Sequence, residues 1–223
     1  MASQLDVYNR ALVAALSRTT LTEINARRPE ADICNLMYPV VRDNVLKAAS
    51  WPSAKKNRRL ALIKERDFGE DWVSDDPSPG YRYVYGAPND LLAPRYLHSY
   101  RRFELEYYEP QNTVAIMTDD PAPILHYTFA QQDVSQWDPG LLQAITYALA
   151  AQITLPLNGK PAVAQLLTGQ ALDLIIQAQT DVANEADDYH EAISEIIEVR
   201  GFSGPVNRPQ YFFPYETFNG VTA

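Results

Sequence analysis

The chain has 223 residues, of which 46% are hydrophobic and 21% are charged, and its formal net charge at pH 7 is -9. These proportions are those of a globular protein and exclude a chain that is disordered throughout. The acidic balance disfavours a general nucleic-acid binder or a protein of anionic membrane surfaces, because both need clustered Lys and Arg.

Targeting features and cysteine content limit the cellular compartments in which the protein is expected. The start, MASQLDVYNR, lacks the basic and apolar regions of a signal peptide, and no apolar run is expected to reach the roughly 20 residues of a membrane span. The single cysteine, Cys34, excludes an internal disulfide and fits a reducing compartment. Its apolar, helically spaced neighbours predict a small core residue.

The first 50 residues predict two amphipathic helices. Leu5, Tyr8 and Leu12 recur at three- and four-residue spacing, which indicates a helix over residues 3–17. The second helix covers residues 30–50. Pro39 lies inside it and is expected to kink or split it, because proline removes a hydrogen-bond donor and clashes with the preceding turn.

After Trp51 the pattern changes to alternation, which predicts strands. Tyr81, Tyr83 and Tyr85 alternate with other residues, as do the apolar positions of FELEYYE, TVAIMTDD and ILHYTFA. Short, turn-rich segments separate these runs. We therefore expect an antiparallel meander.

Helical spacing returns near residue 138. Asp138 followed by Pro139 is typical of a helix start, because aspartate caps the first turn and proline suits the first helical position. The sequence PLNG, residues 156–159, ends that helix. A last and longer helix is expected from Pro161 to about Glu191.

These elements predict an α+β protein. Residues 1–57 and 131–200 form an α-helical bundle of about four helices, with a long C-terminal helix. Residues 58–130 form a small antiparallel β domain inserted between the second and third helices. Residues 201–223 form an extended C-terminal arm that is rich in aromatic residues and proline.

Charge is segregated along the sequence. A basic stretch contains Lys55, Lys56, Arg58, Arg59, Lys64 and Arg66, with Glu65 as the opposing charge. An acidic stretch without Lys or Arg contains Asp181, Glu185, Asp187, Asp188, Glu191, Glu195 and Glu198. The two runs are either solvated faces or complementary patches that join copies head-to-tail and can close a ring. The basic run could instead contact the phosphates of DNA inside such a ring.

The C-terminal arm leaves a similar choice. Its aromatic residues are Tyr211, Phe212, Phe213, Tyr215 and Phe218, and its prolines prevent a helix. The arm either crosses the chain's own bundle or anchors in pockets of a neighbouring subunit or partner, which is the interpretation we prefer. The candidate interface residues are these aromatics with Lys55, Lys56, Arg58, Arg59, Asp187, Asp188 and Glu191.

No catalytic constellation is evident in the sequence. Asp187 and His190 have the spacing of a metal half-site, but a second half-site is absent. No nucleophile elbow, phosphate loop or dinucleotide motif occurs. We expect no enzyme activity, no cofactor and no metal. Two alternatives stay open: a cell-wall hydrolase that uses a carboxylate pair such as Glu104 and Glu106, and a monomeric peptide- or glycan-binding module.

The order of several segments resembles a known family. YNRALVAAL, EADICNLMYPVVRDNVLKAASW, RRLAL, YRYVYGAPND and YALAAQI follow one another as in the tail tubular protein A family, the head-to-tail adaptors of short-tailed bacteriophages. The matching positions are Ala31, Cys34, Asn35, Tyr38, Arg42, Asp43, Leu46, Trp51, Tyr83, Tyr85, Pro88 and Asp90. The likeness covers residues 8–188. Family members often have Trp-x-Phe-Ala where this chain has WPSA, and the residues after Arg200 do not align.

The resemblance implies a structural virion protein. Its expected form is a ring of about twelve copies between the portal and the tail nozzle, with a channel for the exiting genome. The implied partners are the other copies, the portal protein, the nozzle protein and DNA that passes without sequence-specific contact; no membrane is implied. The helical part would contact the portal and the arm would embrace it. The protein would be made in the host cytoplasm and reside in the neck of the virion tail.

Overall fold

The computed structural model describes residues 2–68, 73 and 76–187, and these contain four α-helices and seven strands. The helices are α1 (Gln4–Ala14), α2 (Pro29–Ala48), α3 (Pro139–Asn158) and α4 (Pro161–Asp187). The strands are β1 (Lys55–Arg59), β2 (Ala61–Glu65), β3 (Tyr83–Gly86), β4 (Leu91–Leu97), β5 (Phe103–Tyr108), β6 (Thr113–Thr118) and β7 (Ile124–Phe129). The predicted α+β class is confirmed. By its internal contacts the chain divides into two units, and the description concerns the first, Met1–Asn184.

The helix ends follow capping chemistry. Ser3 Oγ accepts a hydrogen bond from Asp6 N at 3.2 Å and Asp6 Oδ2 accepts one from Ser3 N at 2.8 Å, which is a capping box for α1. Asp138 Oδ2 accepts from Leu141 N at 3.0 Å and caps α3, so the predicted start is confirmed. Gly159, with a φ of 61°, forms its C-cap in the left-handed region.

Pro39 does not split α2, which runs continuously from Pro29 to Ala48. The expectation of a split helix was wrong because the surrounding packing holds the helix on both sides of the proline. Cys34 and Tyr38 before it, and Val41 and Val45 after it, are buried in the core. Pro39 itself lies on the exposed face. Tertiary packing therefore outweighs the lost backbone hydrogen bond.

The helices share one hydrophobic core. α1 and α2 both pack against α3, and α4 adds Leu167 to the same buried cluster. Its largest fully buried side chains include Tyr8, Leu12, Leu46, Ile145, Leu149 and Ile153. Cys34 is fully buried in this cluster, so its predicted role as a small core residue is confirmed.

Helix α3 is apolar enough to be compared with a membrane span. Among the described residues it is the one helix whose length and composition would allow it to cross a membrane, with a mean hydropathy of 1.3. The sequence reading did not anticipate such a helix. Half of the apolar stretch of α3 is buried inside the protein, against α1 and α2. The apolar composition of α3 is thus accounted for by its place at the centre of the helical core.

The strands form two antiparallel sheets rather than one meander. One sheet has the order β1-β7-β4 and the other β2-β3-β6-β5. Leu97, Leu125 and Tyr127 of the three-stranded sheet form a buried cluster with Tyr85 and Ile116 of the four-stranded sheet. The two sheets therefore pack on each other through a small core of their own. The predicted meander was wrong, since β1 and β4 both pair with β7 and β1 does not pair with β2, its neighbour in sequence.

Arg95 of β4 joins the three-stranded sheet to the end of α2. Its Nε donates to Thr128 Oγ1 at 2.8 Å, and its Nη2 donates to the backbone carbonyls of Leu46, Lys47 and Ala49. The last carbonyls of a helix have no partner within the helix and carry partial negative charge. The guanidinium donates hydrogen bonds to these carbonyls and places a positive charge beside them. Burial lowers the pKa of Arg95 from its ordinary value.

A second junction joins the segment that follows α2 to the start of α3. Ser53 Oγ donates to Asp138 Oδ1 at 2.6 Å, while the other oxygen of Asp138 caps α3. Trp51, which is almost fully buried, donates from Nε1 to the carbonyl of Val45 at 2.9 Å. The points where the chain leaves and re-enters the helical core are thereby fixed side by side.

We expect Arg95→Lys to lower the free energy of unfolding by about 2–3 kcal/mol. Lysine keeps the charge but lacks the planar fork that reaches Thr128 and the α2 carbonyls together. Urea unfolding followed by circular dichroism measures the loss. Arg101→Lys is the matched control, because Arg101 is exposed and its side chain makes one backbone hydrogen bond, to Asp119 O. Equal stability of Arg95→Lys and wild type would contradict this account of the junction.

Candidate interaction surfaces

The four cations singled out in the sequence lie together on β1. Lys55, Lys56, Arg58 and Arg59 are all exposed, and β1 is an edge strand of the three-stranded sheet. Charged side chains on an edge strand oppose pairing with strands of other molecules. The basic strand thus has a structural role in protecting the sheet edge, whichever partner it also contacts.

Lys56 is held by contacts within the chain. Its Nζ lies 2.8 Å from Asp90 Oδ2 and 3.7 Å from the centroid of the Phe129 ring. Asp90 also accepts a hydrogen bond from Tyr127 OH at 2.9 Å. The hydrogen bond from Lys56 is the main cause that lowers the pKa of Asp90. Lys56 therefore fastens β1 to the segment before β4, which the charge pattern alone did not indicate.

Neighbouring charges of the basic stretch are neutralised by carboxylates. Lys64 Nζ lies 2.9 Å from Asp76 Oδ1, and Arg82 Nη2 lies 2.7 Å from Glu65 Oε1. Arg58 and Arg59 form no ion pair with any residue in the described part of the chain. Fewer cations of the basic stretch therefore lack a carboxylate partner than the sequence indicated.

The acidic run and the arm largely lie outside the described residues. Asp187 is the last residue of α4 and its side chain is not described. The other predicted interface residues of this region lie beyond residue 187; they are Asp188, Glu191, Tyr211, Phe212, Phe213, Tyr215 and Phe218. Their contact with the basic strand, in the same copy or the next, stays a prediction.

Glu106 of the candidate catalytic pair and the adjacent carboxylates Asp119 and Asp120 make local hydrogen bonds. Ser78 Oγ donates to Glu106, Ser99 Oγ donates to Asp120, and Arg82 N donates to Asp119 Oδ1 at 3.0 Å. Within residues 2–68, 73 and 76–187, no group of three or more His, Cys, Asp or Glu side chains is placed to hold a metal. Burial raises the pKa of Cys34 to about 11, which keeps this thiol protonated and unreactive.

Exposed apolar side chains mark the outward sides of α2 and α4. On α2, Leu36 and Val40 are 68% and 61% exposed and lie four residues apart, on one face. On α4 the exposed residues are Leu166, Leu172 and Ile176, while Leu167 and Ala171 of the same helix are buried. From Pro161 to Thr180 the charged residue on α4 is Asp173. This helix therefore buries one side in the core and carries exposed apolar side chains on its outward side, among the exposed polar residues Gln165, Asp173 and Gln177.

A row of stacked rings lies on the three-stranded sheet. Tyr96 stacks on Tyr100 with centroids 5.4 Å apart and on His126 at 4.5 Å, and His98 lies 5.7 Å from His126. We call these four residues the aromatic face. The sequence analysis missed it, although the alternation in RYLHSY places Tyr96, His98 and Tyr100 at positions of one face. His126 joins them through its register opposite Tyr96, which only the fold reveals.

His126 is the least accessible member of the aromatic face. Its Nε2 atom is buried and has no hydrogen-bond partner among the described residues. Burial is the main cause that lowers the pKa of His126 from its ordinary 6.5, and the charge of nearby His98 adds to it. The neutral imidazole therefore suits a position between other rings.

Comparison with models of known protein families and with curated proteins found no match for this chain.

Acidification should destabilise the fold through His126. Because its pKa is lowered by folding, the unfolded chain binds the proton more readily once the pH falls below about 6.5. The stability is therefore complete above that pH and is lost as the pH falls through the pKa of the folded state. His126→Phe keeps a stacked ring without a titrating group, so its urea midpoint should change less than that of wild type between about pH 7 and pH 5. An equal change of the urea midpoint with pH in the two proteins would contradict the assignment of this effect to His126.

Proposed function

We propose that this chain is a head-to-tail adaptor of a short-tailed bacteriophage, which assembles as a ring between portal and tail nozzle. Copies would meet head-to-tail in a heterologous contact that closes on itself. The finer architecture belongs to the same proposal: the helices form a bundle that faces the portal, and residues 201–223 form an arm that reaches a partner. The channel passes DNA without reading its sequence.

The residues that carry the family resemblance have structural positions in the fold, and this supports the proposal. Cys34, Tyr38 and Leu46 are buried on the inner face of α2, and Trp51 is buried beyond its end. Asp90 receives hydrogen bonds from Lys56 and Tyr127. A pattern made of such positions specifies a packed scaffold and its junctions, not a reaction. This is what is expected of a protein whose work is assembly.

The outward apolar side of α4 is the observation that carries the proposal. The helical core is already closed by α1, α2 and α3 with one side of α4. Leu166, Leu172 and Ile176 are between 52% and 63% exposed on the other side. Leu172 and Ile176 lie four residues apart and form an apolar strip there, and exposed apolar patches mark interaction sites. Covering each of these side chains in a subunit contact would contribute about 1 kcal/mol, repeated at every contact of a ring.

The exposed residues of α2 suit the same interpretation. Leu36 and Val40 lie four residues apart and form a second apolar strip on the helical part. Heterologous contacts join two different surfaces of the same chain. The strips on α4 and α2 provide two such surfaces, and the basic strand β1 with the acidic run offers a further pair whose attraction falls with salt.

Leu172→Glu should prevent ring assembly. The variant places a carboxylate on the exposed side of α4, where it leaves the monomer folded but would be desolvated in the subunit contact. The protein is co-expressed with the portal protein of the same virus, and the complexes are imaged by negative stain. We expect rings on portals for wild type and a loss of at least about tenfold for the variant.

Leu62→Glu is the matched control, because Leu62 on β2 is 53% exposed, nearly the same as Leu172 at 52%. It should assemble as wild type does. If wild type forms no ring and no portal complex, the proposed function is wrong. If Leu172→Glu assembles normally, α4 does not form the subunit contact.

The aromatic face favours one second candidate, a monomeric binding module. Exposed tyrosines supply large contact areas with little side-chain entropy to lose, which is typical of binding surfaces. Such a module would remain a single copy at every concentration and in the presence of the portal. Mass measurement of the complexes distinguishes it from an adaptor.

A further inference from the structure

The aromatic face lies at the open end of one side of the three-stranded sheet. On that sheet, Leu125 and Tyr127 point toward the other sheet and are buried. The opposite side carries Thr128 at one end, where Arg95 connects it to α2. Farther along the same side, Tyr96 is 41% exposed and Tyr100 is 76% exposed. The described helices therefore cover one end of this side and leave the rings at the other end accessible.

The turn after β4 holds Tyr100 in place. Tyr100 has a φ of 55°, in the left-handed region that non-glycine residues rarely adopt. Its N–H donates to Leu97 O at 2.8 Å, Ser99 donates to Asp120, and Arg101 Nη1 donates to Asp119 O at 2.8 Å. The ring lies 2° from parallel to Tyr96. One side of the Tyr100 ring is stacked on Tyr96, while the ring as a whole remains mostly exposed.

The strand register places a cation beside these rings. Asn57 pairs with His126 and Arg59 pairs with Ile124, while His98 N donates to Ile124 O at 2.9 Å. Paired residues share a face of a sheet, and neighbouring strands lie about 4.8 Å apart. Arg59 therefore stands in the same row as His98, two strands away. Lys55 lies on this face as well, but it pairs with Thr128 at the end that Arg95 joins to α2, away from the rings.

Negative charge is scarce on this face of the sheet. Along the described strands β1, β7 and β4, the positions of this face hold no Asp or Glu. The carboxylates near the Tyr100 turn are engaged: Asp120 by Ser99 and the backbone N–H of Ala122, and Asp119 by Arg82 N and Arg102. The strand positions of this face thus carry the cation Arg59 near the rings and no carboxylate, although the whole chain carries a net charge of -9. At physiological salt, charges beyond about 8 Å are largely screened, so the local pattern governs contact.

We propose that the aromatic face binds single-stranded nucleic acid. Bases extend the stack at the exposed side of the Tyr100 ring, and the phosphates beside them contact Arg59. Stacked aromatic rings beside a positive groove are the features by which proteins hold single strands without reading sequence. The inference is independent of ring assembly and goes beyond passage of duplex DNA, because the bases of a duplex are already stacked on each other and cannot cover these rings.

Other ligands fit the same surface less well. Neutral sugars need carboxylates and amides for their hydroxyl groups, and this face offers Asn57 without a carboxylate. A purely acidic peptide would satisfy Arg59 but would leave the rings uncovered. A single-stranded nucleic acid supplies both flat rings and regularly spaced anions.

Fluorescence anisotropy with labelled oligothymidylate of about 16 nucleotides tests the proposal on the full-length chain. Tyr100→Ala should weaken binding by about 5- to 100-fold, because it removes an exposed stacking ring. Arg59→Gln should weaken binding and reduce the slope of log affinity against log salt by about 0.7, the effect of one lost phosphate contact on a single strand. Tyr107→Ala is the control, since Tyr107 on β5 is 63% exposed and lies outside the aromatic face; it should bind as wild type does.

Four results would overturn the proposal. The first is no binding of oligothymidylate to wild type at about 50 mM salt, where phosphate contacts are strong. The second is unchanged binding by Tyr100→Ala. The third is equal binding of heparin, duplex DNA and the single strand, which would show attraction by charge alone. If a set of immobilised bacterial glycans is bound through Tyr100 and the oligonucleotide is not, the face is a glycan site and the proposal is likewise wrong.

Discussion

The contact between the Arg95 guanidinium and the last carbonyls of α2 is the constraint on which the arrangement of the first unit depends. Those carbonyls lack partners within the helix, and a positive charge at this end is favoured by the helix dipole. The same guanidinium donates to Thr128, near the end of the central strand of the three-stranded sheet. One side chain thereby fixes the sheet against the helical core. It also decides which end of the sheet remains open.

The consequences of this placement extend to both candidate surfaces. Because Arg95 occupies the side of the sheet near α2, the rings of the aromatic face lie beyond the reach of the helices and stay accessible. β1 remains an edge strand, and Lys56 contacts Asp90 and Phe129 while Arg58 and Arg59 are exposed. The helical core, in turn, is complete without the outward side of α4. The buried cores supply the stability of the fold. The surfaces that stay uncovered carry the apolar side chains of α4 and the arginines of β1.

Much of the fold follows from local patterns in the sequence. Asp138 with Pro139 predicts the start of α3, and the buried position of Cys34 follows from its spacing in α2. Strand order could not be predicted, because it depends on β1 pairing with β7 across most of the inserted segment. The split that Pro39 suggested does not occur, because packing on both sides of it is a property of the whole core. Local rules therefore describe the elements better than their partners.

The candidate surfaces were less predictable for a related reason. Charge runs indicate where cations lie but not that Asp90 faces Lys56, or that Asp76 faces Lys64. Arg95 reads in sequence as one more surface cation, since its carbonyl partners lie in residues 46–49. Tyr96, His98 and Tyr100 share a visible alternation, yet the stack needs His126 from another strand. Sites built by register across strands become apparent only when the register is known.

The account depends on the outward side of α4 being covered when copies assemble, and thiol labelling tests this most directly. A cysteine in place of Leu172 is exposed in the free chain, while native Cys34 is buried with a pKa of about 11 and gives little background. We predict that maleimide labels position 172 at least about tenfold more slowly in portal-bound particles than in the free chain, while a cysteine at position 62 reacts equally in both. Equal labelling of position 172 in free and assembled protein would contradict the account.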